Sequence, residues 1–272
     1  VKLGGSASVD PLASCADVAK LVAAGERVVL VHGGSAHVEA LAARLGVPQR
    51  RLSTPDGRSS RYTDAATLEV LTLAMAGQLK PRLLVELARL GVPAVGLTGI
   101  DAGLLRAERR AVHRAIVDGR AVLIRDDHTG RLVGVQPAPL RVLLAAGLTP
   151  VVSPPALAQD GAPVNVDADR AAAMIAGELG AARLVFLTGA PGLLRDPRDP
   201  TSLISSMVDG CAEAEVNGGM AVKLVAAREA LAAGVARVLI GDGRHDGGLR
   251  TALDGGGTEV TARINDRSVT HG

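Results

Sequence analysis

Aromatic side chains are almost missing from this chain of 272 residues: there is no tryptophan, and Tyr62 and Phe186 stand alone. The core must therefore be built from Ala, Val, Leu and Ile. Base stacking on aromatic platforms, a common grip on single-stranded nucleic acid, is almost excluded. Cysteine is scarce too. Cys15 and Cys211 form no CxxC motif and no disulfide framework, which suits a reducing compartment, and the plain reading of both is a small buried hydrophobe. There is no leader pattern and no apolar run of the roughly 18 residues that a membrane helix needs, so the expectation is a cytoplasmic protein with no membrane partner. A formal net charge of only +2 gives no general affinity for polyanions, and no nucleic-acid partner is expected. What the chain does have is 47% hydrophobic residues and 33 glycines, enough for one large α/β domain or two lobes.

Short apolar runs recur at Val28–Val31, Ala94–Leu97, Pro150–Val152, Leu184–Leu187 and Val238–Ile240. Helical spacing separates them: Val38, Leu41 and Leu45 sit at i, i+3, i+7, and Leu68, Leu71, Met75 and Leu79 obey the same rule, with Thr63 as the expected N-cap. This alternation predicts an α/β fold, a mostly parallel central sheet sandwiched by helices, with ligands at the carboxyl ends of the strands. Between Arg106 and Val135 the pattern changes. The runs Ala111–Val117, Ala121–Ile124 and Leu132–Val135 are joined by the turn signals Asp118-Gly119 and His128-Thr129-Gly130, which predicts an antiparallel β-hairpin flap. Arginines 106, 109, 110, 114, 120, 125 and 131 crowd this segment. They fit either a solvated charged hairpin or a docking surface for an acidic partner.

The pieces that carry chemistry sit at junctions between strands and helices. His32-Gly33-Gly34-Ser35 follows the run Val28–Val31, and Lys2-Leu3-Gly4-Gly5-Ser6 repeats the arrangement with a cation added. Paired glycines entering a helix bring bare backbone N–H groups against a ligand, the usual construction of a phosphate site, although such pairs also serve as simple tight turns. Asn165, Asp167 and Asp169 alternate, so an extended stretch would point all three to one side, where the acids could hold Mg²⁺ or orient lysines; a helix N-cap is the plainer role. Gly218-Gly219 opens another helix with Lys223 about one turn in. A lysine facing a helix N-terminus is disfavoured unless an anion lies between them, and otherwise it is a surface lysine. Arg61, at a loop-to-helix junction, could grip a carboxylate with two parallel hydrogen bonds or stand free.

Taken together, Lys2-Leu3-Gly4-Gly5, Val31-His32-Gly33-Gly34, Arg61-Tyr62-Thr63-Asp64, Gly96-Leu97-Thr98-Gly99, Asn165–Asp169, Leu187–Leu194 and Gly218-Gly219-Met220 with Lys223 resemble the amino acid kinase family, in its N-acetylglutamate kinase branch. The strings occur in family order from Val1 to about Val260. The resemblance implies transfer of the γ-phosphoryl group of ATP, with Mg²⁺, to a side-chain carboxylate, giving an acylphosphate. It implies that Lys2 and Lys223 offset charge on the transferring group and that Asp169 holds both lysines. Gly4, Gly5, Gly33 and Gly34 would donate to the phosphates, and Arg61 and Asn165 would hold the acceptor. Thr188, Gly189, Gly192 and Leu193, with Gly241-Asp242-Gly243, would frame the nucleotide. It further implies one kinase domain over residues 1–262, with an acceptor lobe at 1–150 and an ATP lobe at 151–262, followed by a tail at 263–272. A homodimer through the helix around Leu68–Leu79 is expected.

Two departures narrow the expectation. The string after His32 is Gly33-Gly34-Ser35-Ala36, without a third glycine and proline, and Ser60-Arg61-Tyr62-Thr63-Asp64 stands where acetylglutamate kinases usually have Arg-Val-Thr-Asp. Both departures, with Val151–Leu157, look more like the LysW-aminoadipate kinases, whose substrate is carried by its amino group on a small acidic LysW-type carrier protein. On that resemblance Arg109, Arg110 and Arg114 would dock the carrier. Free N-acetylglutamate is the alternative acceptor. A non-catalytic sensor would not need Lys2, Lys223 and Asp169 together, and a dinucleotide oxidoreductase lacks its GxGxxG continuation.

Overall fold

A computed structural model of the chain describes residues 1–53, 59–109, 112–117, 120–208 and 218–262. The chain opens with β1 (Lys2–Leu3), α1 (Cys15–Ala23), β2 (Leu30–His32) and α2 (Ser35–Leu45). Two short strands follow, β3 (Arg51–Ser53) and β4 (Ser59–Arg61). Helices α3 (Ala65–Thr72) and α4 (Lys80–Arg89) are joined without a break by a π-helical stretch, Leu73–Leu79. Next come β5 (Ala94–Gly99), β6 (Leu105–Arg109), β7 (His113–Val117), β8 (Arg120–Ile124) and β9 (Gly130–Val135). The second half runs α5 (Ala138–Ala145), β10 (Thr149–Ala158), β11 (Pro163–Val164), α6 (Ala168–Leu179) and β12 (Arg183–Thr188). It closes with β13 (Ser206–Val208), α7 (Gly218–Ala232), β14 (Arg237–Asp242), α8 (Gly248–Leu253) and β15 (Thr258–Thr261).

The expected α/β architecture is present. An 11-stranded sheet has the order β13-β15-β14-β12-β1-β2-β10-β6-β9, with β5 and β11 also paired to β10. From β14 across β12, β1, β2 and β10 every pairing is parallel. These strands are buried on both faces, which is why they read as continuous apolar runs rather than alternating ones. Phe186, fully buried on β12, sits in a core of aliphatic residues that includes Leu184, Val238 and Ile240. Register sets the height of the strand ends: Leu3 pairs with both His32 and Leu187, and Leu187 pairs with Gly241. The loops after β1, β2, β12 and β14 therefore emerge side by side on one edge.

The flap is real but smaller than the sequence suggests. β7 and β8 form the antiparallel hairpin, and they join β3 and β4 in a separate 4-stranded sheet of order β4-β3-β7-β8. β9 is not part of it. Leu132 and Val135 are buried in the main core, and β9 pairs antiparallel with β6 on the large sheet, because that is where its apolar face is covered. The strand pair β3–β4 had no legible alternation and went unpredicted. The Asp118-Gly119 turn, Arg110, Cys211 and residues 263–272 lie outside the described residues. Cys15 is the buried hydrophobe expected, its thiol pushed up to about 12 by burial and then by Glu86 and Asp10. Among the described residues no helix is long and apolar enough to cross a membrane.

Candidate active site

Asp169 stands in the first turn of α6, 5% exposed, between two lysines from distant parts of the chain. Lys2 Nζ on β1 lies 2.6 Å from Oδ1, and Lys223 Nζ on α7 lies 3.1 Å from Oδ2. Both are close contacts between opposite charges, and the second is a charge-assisted hydrogen bond. Burial works to raise the Asp169 carboxyl, but the two ammonium groups outweigh it and hold the group below the usual carboxylate range. Two cations and one carboxylate leave one positive charge on the triad. The expected extended array of Asn165, Asp167 and Asp169 is not formed. Asp167 is the N-cap of α6, accepting from the Arg170 N–H at 2.8 Å, so Asp169 lies within the helix rather than one strand register further on.

Beside the triad the loops after β1 and β2 meet backbone to backbone. A Cβ on Gly5 would fall 2.5 Å from the Gly34 nitrogen and 2.9 Å from that of Ser35, and a Cβ on Gly33 would touch Ala168, the residue before Asp169. The four glycines do not act alike. The Gly4 N–H is bonded to Leu187 O and the Gly33 N–H to Leu3 O, so neither is a free donor, contrary to the expectation. These two glycines serve close approach instead. The N–H groups of Gly5, Gly34 and Ser35 have no backbone acceptor among the described residues, and the last two stand at the N-terminus of α2. That is the anion-binding end of a helix.

Arg61 and Asn165 share one wall. Asn165 Nδ2 donates to Thr63 Oγ1 at 3.2 Å, and Thr63 Oγ1 donates to the Arg61 carbonyl at 3.3 Å. The Arg61 guanidinium is mostly buried and donates to Glu39 at 3.0 Å and to Gln49, so an incoming carboxylate would compete with Glu39 for it. Thr63 is not the N-cap of α3; Asp64 is, accepting from the Thr67 N–H at 2.9 Å, while Thr63 is buried in the wall. On the other side, Thr188 ends β12 and its hydroxyl accepts from the Ala190 N–H. A Cβ on Gly189 would overlap Ser8, which brings this loop against the first glycine loop. Leu193 is buried and its N–H is given to Thr258 Oγ1 at 2.7 Å; with Gly192 it anchors the loop from behind and is not on its open face. Asp242, at the end of β14, is held by the Arg244 guanidinium, which keeps its carboxyl low.

Among the described residues no three His, Cys, Asp or Glu converge as metal ligands, and both Asp169 oxygens face ammonium groups. This donor set suits Mg²⁺ arriving on nucleotide phosphates rather than one caged by the protein.

Lys80 escaped the sequence reading. It is 4% exposed and donates to Leu97 O within β5, with its methylenes across Gly96. Burial pushes its ammonium down to about 8. The signal that finds it is periodicity: Lys80 stands three and seven residues before the buried Leu83 and Leu87, in an apolar stripe position. Nearby His32 is fully buried, its Nδ1 2.9 Å from Gly33 O, and burial pushes the imidazole down to about 3. It is neutral at pH 7.

The chain belongs to the amino acid kinase family, whose profile matches residues 1–242. It is 40% identical over 264 residues to the LysW-aminoadipate kinase of Deinococcus radiodurans, covering 96% of this chain and 90% of that protein. It is 38% identical over 265 residues to the acetylglutamate kinase of Methanopyrus kandleri, covering 96% and 98%. The crystal structure of smu.665 from Streptococcus mutans superposes with a TM-score of 0.73 at 20% identity, covering 96% of this chain and 97% of that one, a likeness of fold.

The depressed Lys80 ammonium sets a pH dependence. Between about 8 and 10.5 the unfolded chain still binds the proton that the folded chain has lost, so stability from this site rises with pH. Urea titrations of wild type and Lys80→Met across that window should show wild type gaining relative to the variant as pH rises. A constant difference contradicts the assignment.

Proposed function

We propose that this chain is an ATP-dependent kinase for the side-chain carboxylate of an aminoadipate, or glutamate, whose amino group is linked to an acidic LysW-type carrier protein. The observation that carries the proposal is Asp169 clamped between Lys2 and Lys223, beside the N–H groups of Gly5, Gly34 and Ser35, which have no backbone acceptor among the described residues. A carboxylate oxygen attacks the γ-phosphorus, the bond to the bridging oxygen of ADP breaks, and an acylphosphate forms. The nucleophile is already an anion, so no general base is needed, and neutral His32 supplies none. The difficulty is repulsion between two anions. Lys2 and Lys223 reduce it, while Asp169 keeps both ammonium groups in place.

The acceptor is held by Arg61 from residues 1–150 and by Asn165 where residues 151–262 meet them, and MgATP by Thr188 and Gly189 on the side of residues 151–262, with Gly192 and Leu193 shaping that loop from behind. The carrier form is favoured by the Deinococcus radiodurans relative and by the hairpin. Exposed Arg114 on β7 pairs with Leu123 on β8, itself 50% exposed, and exposed Arg125 follows two residues on. A charged rim with an apolar patch suits docking of an acidic globular partner. Arg109 is turned partly inward, its Nε donating to Asp127 O. A homodimer through the α3–α4 helix is supported by Leu73, 48% exposed on its π-helical stretch.

Hydroxylamine trapping of the acylphosphate, with free N-acetylglutamate, carrier-linked aminoadipate and carrier-linked glutamate offered separately, should give product on the carrier-linked acceptors. Product on free N-acetylglutamate alone assigns the chain to the other branch. Lys223→Ala leaves the Lys2–Asp169 pair intact, and its turnover should fall by roughly 10²–10³, the loss typical of one transition-state donor, with an unchanged circular dichroism spectrum. Near-wild-type turnover removes Lys223 from the reaction. Arg114→Glu with Arg125→Glu should raise KM for the carrier-linked acceptor and flatten its dependence on salt, and the docking face is refuted by a KM that matches wild type at every ionic strength.

A further inference from the structure

Asp127 is 1% exposed, an acid buried between the exposed residues Arg125 and Asp126 and the acceptor wall. We propose that it is a positioning residue that couples docking of the carrier on the β7–β8 hairpin to the residues that hold the acceptor. The inference rests on the carrier reading given above.

Strand β8 ends at Ile124, and within three residues the chain reaches Asp127. Its Oδ1 accepts from the Thr63 N–H at 3.3 Å and the Thr129 N–H at 3.2 Å, and its Oδ2 accepts from the Thr129 hydroxyl at 2.7 Å. Its carbonyl accepts from Arg109 Nε at 3.0 Å. One residue therefore ties an arginine of the docking segment to the backbone two residues after Arg61. The next residue doubles the tie. The His128 N–H donates to Thr63 O at 2.7 Å, and the Asn165 N–H donates to His128 O at 2.7 Å. The Gly130 N–H returns to Asn165 O at 2.8 Å, and Asn165 Nδ2 closes on Thr63 Oγ1. Residues 127–130 are thus a wedge between the Arg61–Thr63 end of the small sheet and Asn165 beside α6. A displacement of the hairpin or of Arg109 reaches both acceptor-holding residues through it. Buried carboxylate oxygens with several donors resist such displacement, since each lost bond leaves a polar group unpaired.

The test compares kcat and KM for carrier-linked aminoadipate and for a carrier-free N-acyl aminoadipate in wild type, Asp127→Asn and Thr129→Val. Asparagine keeps the shape but turns one accepting oxygen into a donor facing donors; valine removes only the hydroxyl. The kcat ratio, carrier-linked over carrier-free, should fall roughly tenfold in Asp127→Asn and less in Thr129→Val, within the usual range of couplings between sites. KM for the carrier should change little, because the docking face is intact. Equal losses on both acceptors, the mark of a merely structural role, overturn the proposal, as does an unchanged ratio. If Asp127→Asn fails to fold, the Thr129→Val ratio decides alone. A wild type that uses the carrier-free acceptor as well as the carrier-linked one overturns the functional reading itself. A wild type with a preference that both variants keep overturns only the coupling.

Discussion

One carboxylate between two ammonium groups organises this molecule. Asp169 is buried, and its charge is tolerable only because Lys2 and Lys223 reach it from opposite ends of the chain. Removing the carboxylate would leave two ammonium groups without a counter-charge, and breaking a buried ion pair in that way commonly costs about 3–5 kcal/mol. The triad also keeps β1, α6 and α7 in fixed relation, so the element that ends in a glycine loop and the two helices that bound the site move as one. Its residual positive charge is aimed at the same edge where backbone N–H groups lie open. The charge that steadies the fold and the positive charge turned to that edge therefore come from the same three side chains.

The parallel sheet supplies the other constraint. Strands β1, β2, β12 and β14 run in one direction with their ends at one level, so the four loops that leave them start side by side. Such convergence is what a parallel sheet offers and an antiparallel one does not. Two helices close on that edge from different parts of the chain. α2 begins at the loop after β2 and turns its N-terminus to the edge, while α6, reached much later from β11, brings Asp169 beside the same loops.

Much of this was legible in the sequence, for identifiable reasons. Strands buried on both faces announce themselves as apolar runs, as β2, β10, β12 and β14 do, and β5 is legible by the same apolar run although it is only half-buried. Glycine pairs after a run mark a loop where side chains are not tolerated, and Gly5 and Gly34 do meet there. Hydrogen-bond accounting was not legible. Nothing in the string distinguishes Gly33, whose amide is spent on Leu3, from Gly34, whose amide is open. Strands β3 and β4, three residues each, are too short for alternation to show, and so β7 and β8 lost their true partners. Lys80 was overlooked because a lysine is read as surface unless its spacing is checked against the leucines beyond it.

The site is made of two materials. The loop junction beside the triad is main chain, where Gly5 lies against Gly34 and Ser35 with no room for a side chain, so nothing larger than glycine enters there without breaking both loops together. The wall that carries Arg61 and Asn165 is held by side chain and main chain together, since Thr63, His128, Gly130 and Asn165 bond one another through their backbones as well. A change at the tip of one side chain there leaves the main-chain bonds standing, whereas any side chain at Gly5 forces two loops apart at once.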